Sequence, residues 1–475
     1  MLYRVISMKG VFSVTNSSVF FGRRMILTDY DTITAANVVE VLTKALTVHN
    51  QNRYEIDYLY QYYKGNQPVL NRVKKIRSEI NNKIVVNRAD EIVSFKTGYL
   101  VGEPLQYVNS SDGENAAVSQ SIERLNKFMS ISDKAEEDME LAEWFYTCGV
   151  AYRMVLPNAE YDGNDSPFNL YTLDPRFAFV VRHSGLGNRV MMGVKFVITE
   201  EHGVIFSVYT RDTYFEIVDG WIVKAQWHML GGVPIVEYIA NKKRQGAFEI
   251  VISMLDAINE VASNRLDGIE QFIQALMVFK NVDVESEDFD AIKEKGGIKV
   301  PENGDVTYLI QELNQQETQT LVNDMYQTVL IICGMPNRNG GSSTSDTGLA
   351  VVYRDGWSDA EARAKKTELS FKKSEKQTLK LILRIASTMS DLNLRLWDIG
   401  IRFTRRNYEN TQGKAQVLTT MLANDKIHPR LAFEHCGMFV DPELAYSISE
   451  KYAAEQEAKL EKELAAPTEP GDGDV

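Results

Sequence analysis

Five acidic residues crowd one short stretch of the 475-residue chain: Asp283, Glu285, Glu287, Asp288 and Asp290. Carboxylates at that density could hold a hard divalent cation of the kind a metal-dependent nuclease uses. Their spacing lacks the central glycine and the terminal glutamate of a calcium loop, so a solvated acidic face is the simpler expectation. His428, His435 and Cys436 form the tightest set of soft ligands. Zinc needs four donors, and the seven-residue gap with no fourth ligand argues against it. In and beside "TRRNY", Arg402, Arg405, Arg406 and Tyr408 could touch phosphate, although a basic spot among acidic neighbours is the commoner meaning. Gly334 to Gly341 supplies glycines without the lysine of a phosphate-binding loop, and neither HExxH nor GxSxG occurs. No catalytic residue, metal or cofactor is therefore expected.

Composition narrows the classes further. A net charge of −13 argues against a basic platform that wraps nucleic acid, because phosphate binding needs clustered Lys and Arg. With 44% hydrophobic and 25% charged residues, the chain reads as soluble and globular, with length for several structural units. Cys148, Cys333 and Cys436 are odd in number and far apart, so neither a disulfide framework nor a CxxC metal site is indicated, and a reducing cytosol fits. No run is long and apolar enough to span a membrane. Near the start, Thr15, Asn16, Ser17 and Ser18 interrupt any signal-peptide core, and residues 1–32 are expected to be a disordered extension.

The elements that must position these residues follow from periodicity. Thr34 to Tyr63 carries Val38, Val41, Leu42, Leu46, Tyr54, Tyr58, Leu59 and Tyr62 at helical spacing. Further helices are expected over Asn87 to Thr97, Ala116 to Phe128 and Ser132 to Thr147, the last capped by Ser132. Between Val150 and Tyr238 the sequence alternates and is rich in Val, Phe and Tyr, with turn signals at 183–188 and at Asp219-Gly220, which predicts an antiparallel meander. The first half is thus α+β.

A long amphipathic helix over Phe248 to Met277 comes next, its stripe including Ile250, Leu255, Ile258, Leu266, Ile269 and Leu276. The stretch from Phe279 to Gln311 reads as a small β-containing insert, and a second helix, about Glu312 to Cys333, is closed by Gly334 and Pro336. Asn337 to Gly348 then combines Ser and Thr with glycine and offers no apolar anchor. Leu349 to Ser390 is helical in pattern with one defect at Gly356, where Ser358 and Glu361 have the spacing of a capping box; a bend or restart is expected there. After a short extended piece, helices are expected at Thr411 to Asn424, at Pro429 to Cys436 and from Asp441 onward. Residues 455–475 form an acidic tail expected to be disordered.

In this order of elements, and in the stretches "YYKGNQPVLNR", "NKIVVNRADEIVSFKTGYLVGEPLQY", "LDPRFAFVV", "GGVPIVEYIANKKRQGAFE" and "IRFTRRNYENTQGKAQVLTTML", the chain resembles the portal proteins, or head-to-tail connectors, of tailed double-stranded DNA phages. The similarity is greatest to the long-tailed phages of Gram-positive hosts and covers about Ile33 to Ala454. No single motif in it is catalytic or unique; the specificity lies in their order and spacing.

The resemblance implies an α+β portal fold. Its parts would be a wing at 33–245, stem helices at 246–277 and 312–334, a clip at 278–311, a tunnel loop at 335–348, a helix at 349–390 kinked at Gly356, and a crown at 391–454. It implies a homo-oligomer of about twelve subunits at one capsid vertex of the virion, assembled in the host cytoplasm, through which DNA is packaged and ejected. The implied partners are double-stranded DNA in the channel, terminase, scaffold and major capsid proteins and a head-completion adaptor, with no membrane. Asn337, Arg338, Asn339, Gly340, Gly341, Ser342, Ser343, Thr344 and Ser345 would face the DNA. The acidity suits such a conduit, since a ring that repels phosphate lets DNA slide. Two alternatives stand beside it: a metal-dependent nuclease that processes DNA, and a structural capsid adaptor that does not conduct it.

Overall fold

The computed structural model describes residues 22–110, 116–273, 276–280, 302–309, 315–337, 356–405, 411–439 and 442–464. The first half is built from four helices, α1 (Val38–Tyr63), α2 (Arg88–Val101), α3 (Ala116–Ile131) and α4 (Lys134–Cys148), packed on two sheets. Ser132 does not cap α4. Its hydroxyl turns back to the carbonyl of Met129, and Asp133, in the left-handed region, precedes the first turn without a side-chain cap.

The expected single meander is two sheets. One is six-stranded, in the order β1 (Leu27–Thr28), β5 (Ala178–His183), β6 (Val190–Thr199), β7 (Gly203–Tyr209), β8 (Thr213–Val218) and β9 (Trp221–Trp227). The other places β3 (Val150–Pro157) between β10 (Ile235–Ile239) and β4 (Phe168–Leu173). Sequence alternation hides the division because β3 is buried at six successive positions, from Val150 to Val155, so neither of its faces is polar.

Residues 22–32, expected to belong to a disordered extension, are instead part of the fold. Leu27–Thr28 pairs parallel to Arg182–His183, and Arg23 is buried between Glu55 and Glu249 at 3.0 and 2.5 Å. Two ion pairs and a strand ladder offset the ordering cost of a segment with little apolar area.

Beyond the sheets a 3-10 turn, Glu249–Val251, leads into α5 (Ile252–Ile273), a rod of about 33 Å. The helix stops short of the expected Met277. Leu276–Lys280 is strand β11, antiparallel to β12 (Asp305–Leu309), whose backbone supplies the ladder that a helix end lacks. α6 (Gln315–Cys333) returns alongside α5, and α7 (Trp357–Met389) runs about 50 Å across the molecule. Phe371, Leu379, Ile382 and Ala386 of α7 enter the same core as α1, α4 and β3.

The chain then re-enters the first half. β13 (Ile399–Arg402), grouped by the resemblance with the crown, pairs antiparallel with β2 (Gln106–Asn109). The last helices, α8 (Thr411–Leu422), α9 (Pro429–His435) and α10 (Pro442–Leu464), carry a small centre of their own at Phe433, which stacks on Phe439 at 5.2 Å and meets Tyr446 edge-on. Helix α10 runs to Leu464, so residues 455–464 of the tail expected to be disordered are helical; Ala, Glu, Gln, Lys and Leu dominate them, and all favour helix. Among the described residues no helix is long and apolar enough to cross a membrane.

Candidate functional site

The Gly-Ser-Thr stretch lies in sequence between the end of α6 and the start of α7. Gly334 terminates α6 with φ of 65°; its N–H bonds to the Ile331 carbonyl at 3.1 Å, and the N–H of Met335 to the Leu330 carbonyl at 2.9 Å. This paired closure needs the left-handed conformation that glycine reaches without strain, and the buried contact of Leu330 and Met335 with the core accompanies it. A side chain on Gly334 would also strike Arg363. The Arg363 guanidinium donates to the Ile332 carbonyl at 2.8 Å and pairs with Asp359 at 3.0 Å, so α7 supplies a cation to the carbonyl end of α6.

At the other end Gly356 has φ of 80° and caps α7, and the N–H of Ala360 bonds to its carbonyl at 3.1 Å. A left-handed residue cannot sit inside a right-handed helix, so a new helix begins at Gly356. A Cβ built on Gly356 would lie 3.9 Å from the Cα of Pro336. Pro336 and Gly356, on the two sides of that stretch, therefore lie together. Trp357, beside Phe95 and Tyr99 with ring centroids 6.1 and 6.2 Å away, ties that place to α2. Cys333 lies under it, its thiol pushed up to about 11 by burial.

Of the residues expected to face DNA, Asn337 stands at this junction, while Arg338, Asn339, Gly340, Gly341, Ser342, Ser343, Thr344 and Ser345 lie outside the described residues. The capping box expected at Ser358 and Glu361 does not form. Ser358 is already inside α7, and Glu361 accepts from Tyr99 at 2.8 Å and Arg405 at 2.6 Å, two long-range partners in place of one local N–H. Arg405 is also paired with Glu368 and bonded to the Tyr99 carbonyl, which takes it out of any phosphate-binding role; Arg402 is exposed on β13, and Arg406 and Tyr408 lie outside the described residues. The acidic run from Asp283 to Asp290 is outside them as well. His428 caps α9, its Nδ1 accepting from the N–H of Arg430 at 3.2 Å, and the buried Cys436 thiol faces the Phe433 carbonyl. Among the described residues no cluster of His, Cys, Asp or Glu is arranged to hold a metal ion.

Two polar assemblies that local sequence reading missed hold α5 and α7 in place. The first is a buried charge cluster under α7. Tyr107 and Tyr238 each donate at 2.6 Å to a different oxygen of Glu375, and Lys134 stands 3.1 Å from the same carboxylate and 2.6 Å from Asp138. Arg153, fully buried, meets Asp138 at 2.5 Å. Burial alone would push the Glu375 carboxyl up, but Lys134 and Arg153, with the two phenols, hold it well below the usual carboxylate range. The available signal was a glutamate in the apolar register of a long helix, four residues after Phe371 and four before Leu379.

The second assembly is a polar ladder on α5. Asn259, Ser263 and Asp267 recur every fourth residue and accept from the backbone N–H groups of Val86, Ile84 and Asn82 at 2.8, 2.9 and 2.8 Å. Four helical residues rise about 6.0 Å and two extended residues about 6.6 Å, so the two repeats keep step over three rungs.

The family described as "Phage portal protein, SPP1 Gp6-like" matches residues 43–466. This chain belongs to that family. Portal membership implies an oligomeric ring at a capsid vertex of the virion, a role that is structural rather than enzymatic. Among solved structures, the portal protein is similar to a chain of "Neck of empty GTA particle computed with C6 symmetry", at 11% identity and a TM-score of 0.45, over 74% of this chain and 90% of that one. No curated protein matches it.

Proposed function

We propose that the ring formed by this portal protein conducts double-stranded DNA during packaging and ejection, and that the stretch between Pro336 and Gly356 lines the passage. The reading is supported above all by the closed base of that stretch: Gly334, Pro336 and Gly356 bring its two ends together where α6, α7 and Arg363 meet. Both ends are held on stiff helices, and small polar side chains touch a phosphate backbone weakly and read no bases. In this reading residues 33–245 form the wing toward scaffold and major capsid proteins. The β11–β12 pair is the root of a clip that engages terminase and later the head-completion adaptor, in a ring of about twelve subunits.

Cysteine at Ser343, joined to its neighbour by a short bifunctional reagent, tests the lining role. Rings with a central hole should form normally, the crosslink should appear because the stretches converge on the axis, and packaging should fall sharply. Packaging that continues with these stretches tied together would overturn the assignment.

A further inference from the structure

Between α1 and α4 lies a cavity of about 100 Å³, lined by Tyr60, Tyr63, Glu140, Glu143, Trp144 and Thr147. Its wall is aromatic: Tyr60 stacks on Trp144 with ring centroids 4.6 Å apart. Two carboxylates, one helical turn apart on α4, face the same space. Among the described residues neither makes an ion pair, although Arg176 packs over Tyr60 at 4.5 Å and Lys64 at 5.4 Å. Arg176 is already engaged by Asp57 and Asp174 at 3.0 and 2.7 Å. Both glutamates stand on the exposed side of α4; partial desolvation, with Asp90 near Glu143 and Glu137 near Glu140, pushes both up, while a hydrogen bond from Trp144 opposes the shift at Glu140. An independent observation concerns Thr147. It is 1% exposed, and its hydroxyl finds no hydrogen-bond partner among the described residues. Buried hydroxyls without a partner are rare.

We propose that this cavity is a binding site for an alkylammonium group, a primary amine on a short methylene stem. The stem would lie against the Tyr60–Trp144 wall, the cation would be held by Glu140 and Glu143, and the Thr147 hydroxyl would accept one of its N–H bonds. Two sources carry that chemistry, a lysine side chain of a protein packed on this face and a free aliphatic diamine. The proposal does not rest on the DNA-conducting reading.

Isothermal titration calorimetry on the intact assembled protein provides the test, with n-butylammonium, putrescine, Nα-acetyl-lysine methylamide and the neutral control n-butanol as probes. The amines should bind and butanol should not. Glu143→Gln should weaken amine binding at least tenfold, and Thr147→Val should weaken it severalfold, with thermal melting showing that each variant remains folded. Binding of the lysine derivative as tightly as n-butylammonium assigns the site to a protein side chain; markedly tighter putrescine assigns it to the diamine. Either supports the proposal. No amine binding, equal binding of butanol, or unchanged binding by folded Glu143→Gln would overturn it.

Discussion

The side-chain oxygen of Asn259 accepts a hydrogen bond from the backbone N–H of Val86 at 2.8 Å, so helix α5 completes the backbone bonding of the run that precedes α2. The amide of the same side chain donates to Gln67, and Asn259 is almost wholly buried. Through it, with Ser263 and Asp267, α5 is tied to residues 82–86, the run that leads into α2.

Replacing Asn259 with Leu keeps the volume and orphans the part-buried Val86 N–H and the buried Gln67 side-chain oxygen. The expected cost is about 2–3 kcal/mol. Equilibrium urea unfolding should report it, and hydrogen exchange should quicken at Val86 and Ile84 before the sheets respond.

Glu375 makes acid stability predictable. Its folded pKa lies below the ordinary 4.5, so its stabilising contribution is complete above that value and fades as the pH falls through the carboxylate range. Glu375→Gln should lose about 3–5 kcal/mol at neutral pH, because Lys134 and Arg153 are left with Asp138 alone. Unfolding curves from neutral pH to about pH 3 should then show a shallower decline for the variant than for the parent. Parallel curves would remove Glu375 from the account.

Arg23 joins the start of the described chain to α1 and to the turn before α5. Truncation to Met25, or Arg23→Ala, leaves Glu55 and Glu249 facing each other without their shared cation, for an expected loss of about 3 kcal/mol. Differential scanning calorimetry on the truncated chain measures this directly.

Gly334→Ala forces a side chain into left-handed backbone and against Arg363. About 1–2 kcal/mol should be lost. Adding Arg363→Ala should relieve the collision but not the backbone strain, so the double variant should recover only part of the loss in thermal melting.

Helices α5 and α6 keep apolar side chains that the single chain does not cover: Ile269, Leu321 and Ile331 are 44%, 52% and 69% exposed. Leu321→Asp with Ile331→Asp should leave a folded monomer by circular dichroism that no longer forms rings in size-exclusion chromatography, since these residues lie outside the core. Ile258, on the same sequence stripe, is 3% exposed, and an Asp there should unfold the chain rather than dissociate the ring.

The helical stripes of α1, α5, α6 and α7, the strand-rich middle and the closing of α6 at Gly334 were legible in the sequence, because periodicity and glycine or proline punctuation act over a few residues and survive in any context. The division of the strands into two sheets was not, since β3 is buried on both faces and its partners both follow it, Phe168–Leu173 directly and Ile235–Ile239 only after five strands of the other sheet. The same holds for β13 on β2, for Leu276–Met277 leaving the helix to pair with β12, and for Arg23 joining a segment expected to be disordered to Glu249, 226 residues away. The sequence by itself determined which residues are apolar, where helices can run and where the chain must turn. Only the tertiary structure decided which buried charges meet, because a carboxylate such as Glu375 is tolerable in a core only when Lys134, Arg153, Tyr107 and Tyr238 converge on it from four other elements, and no local pattern records that convergence.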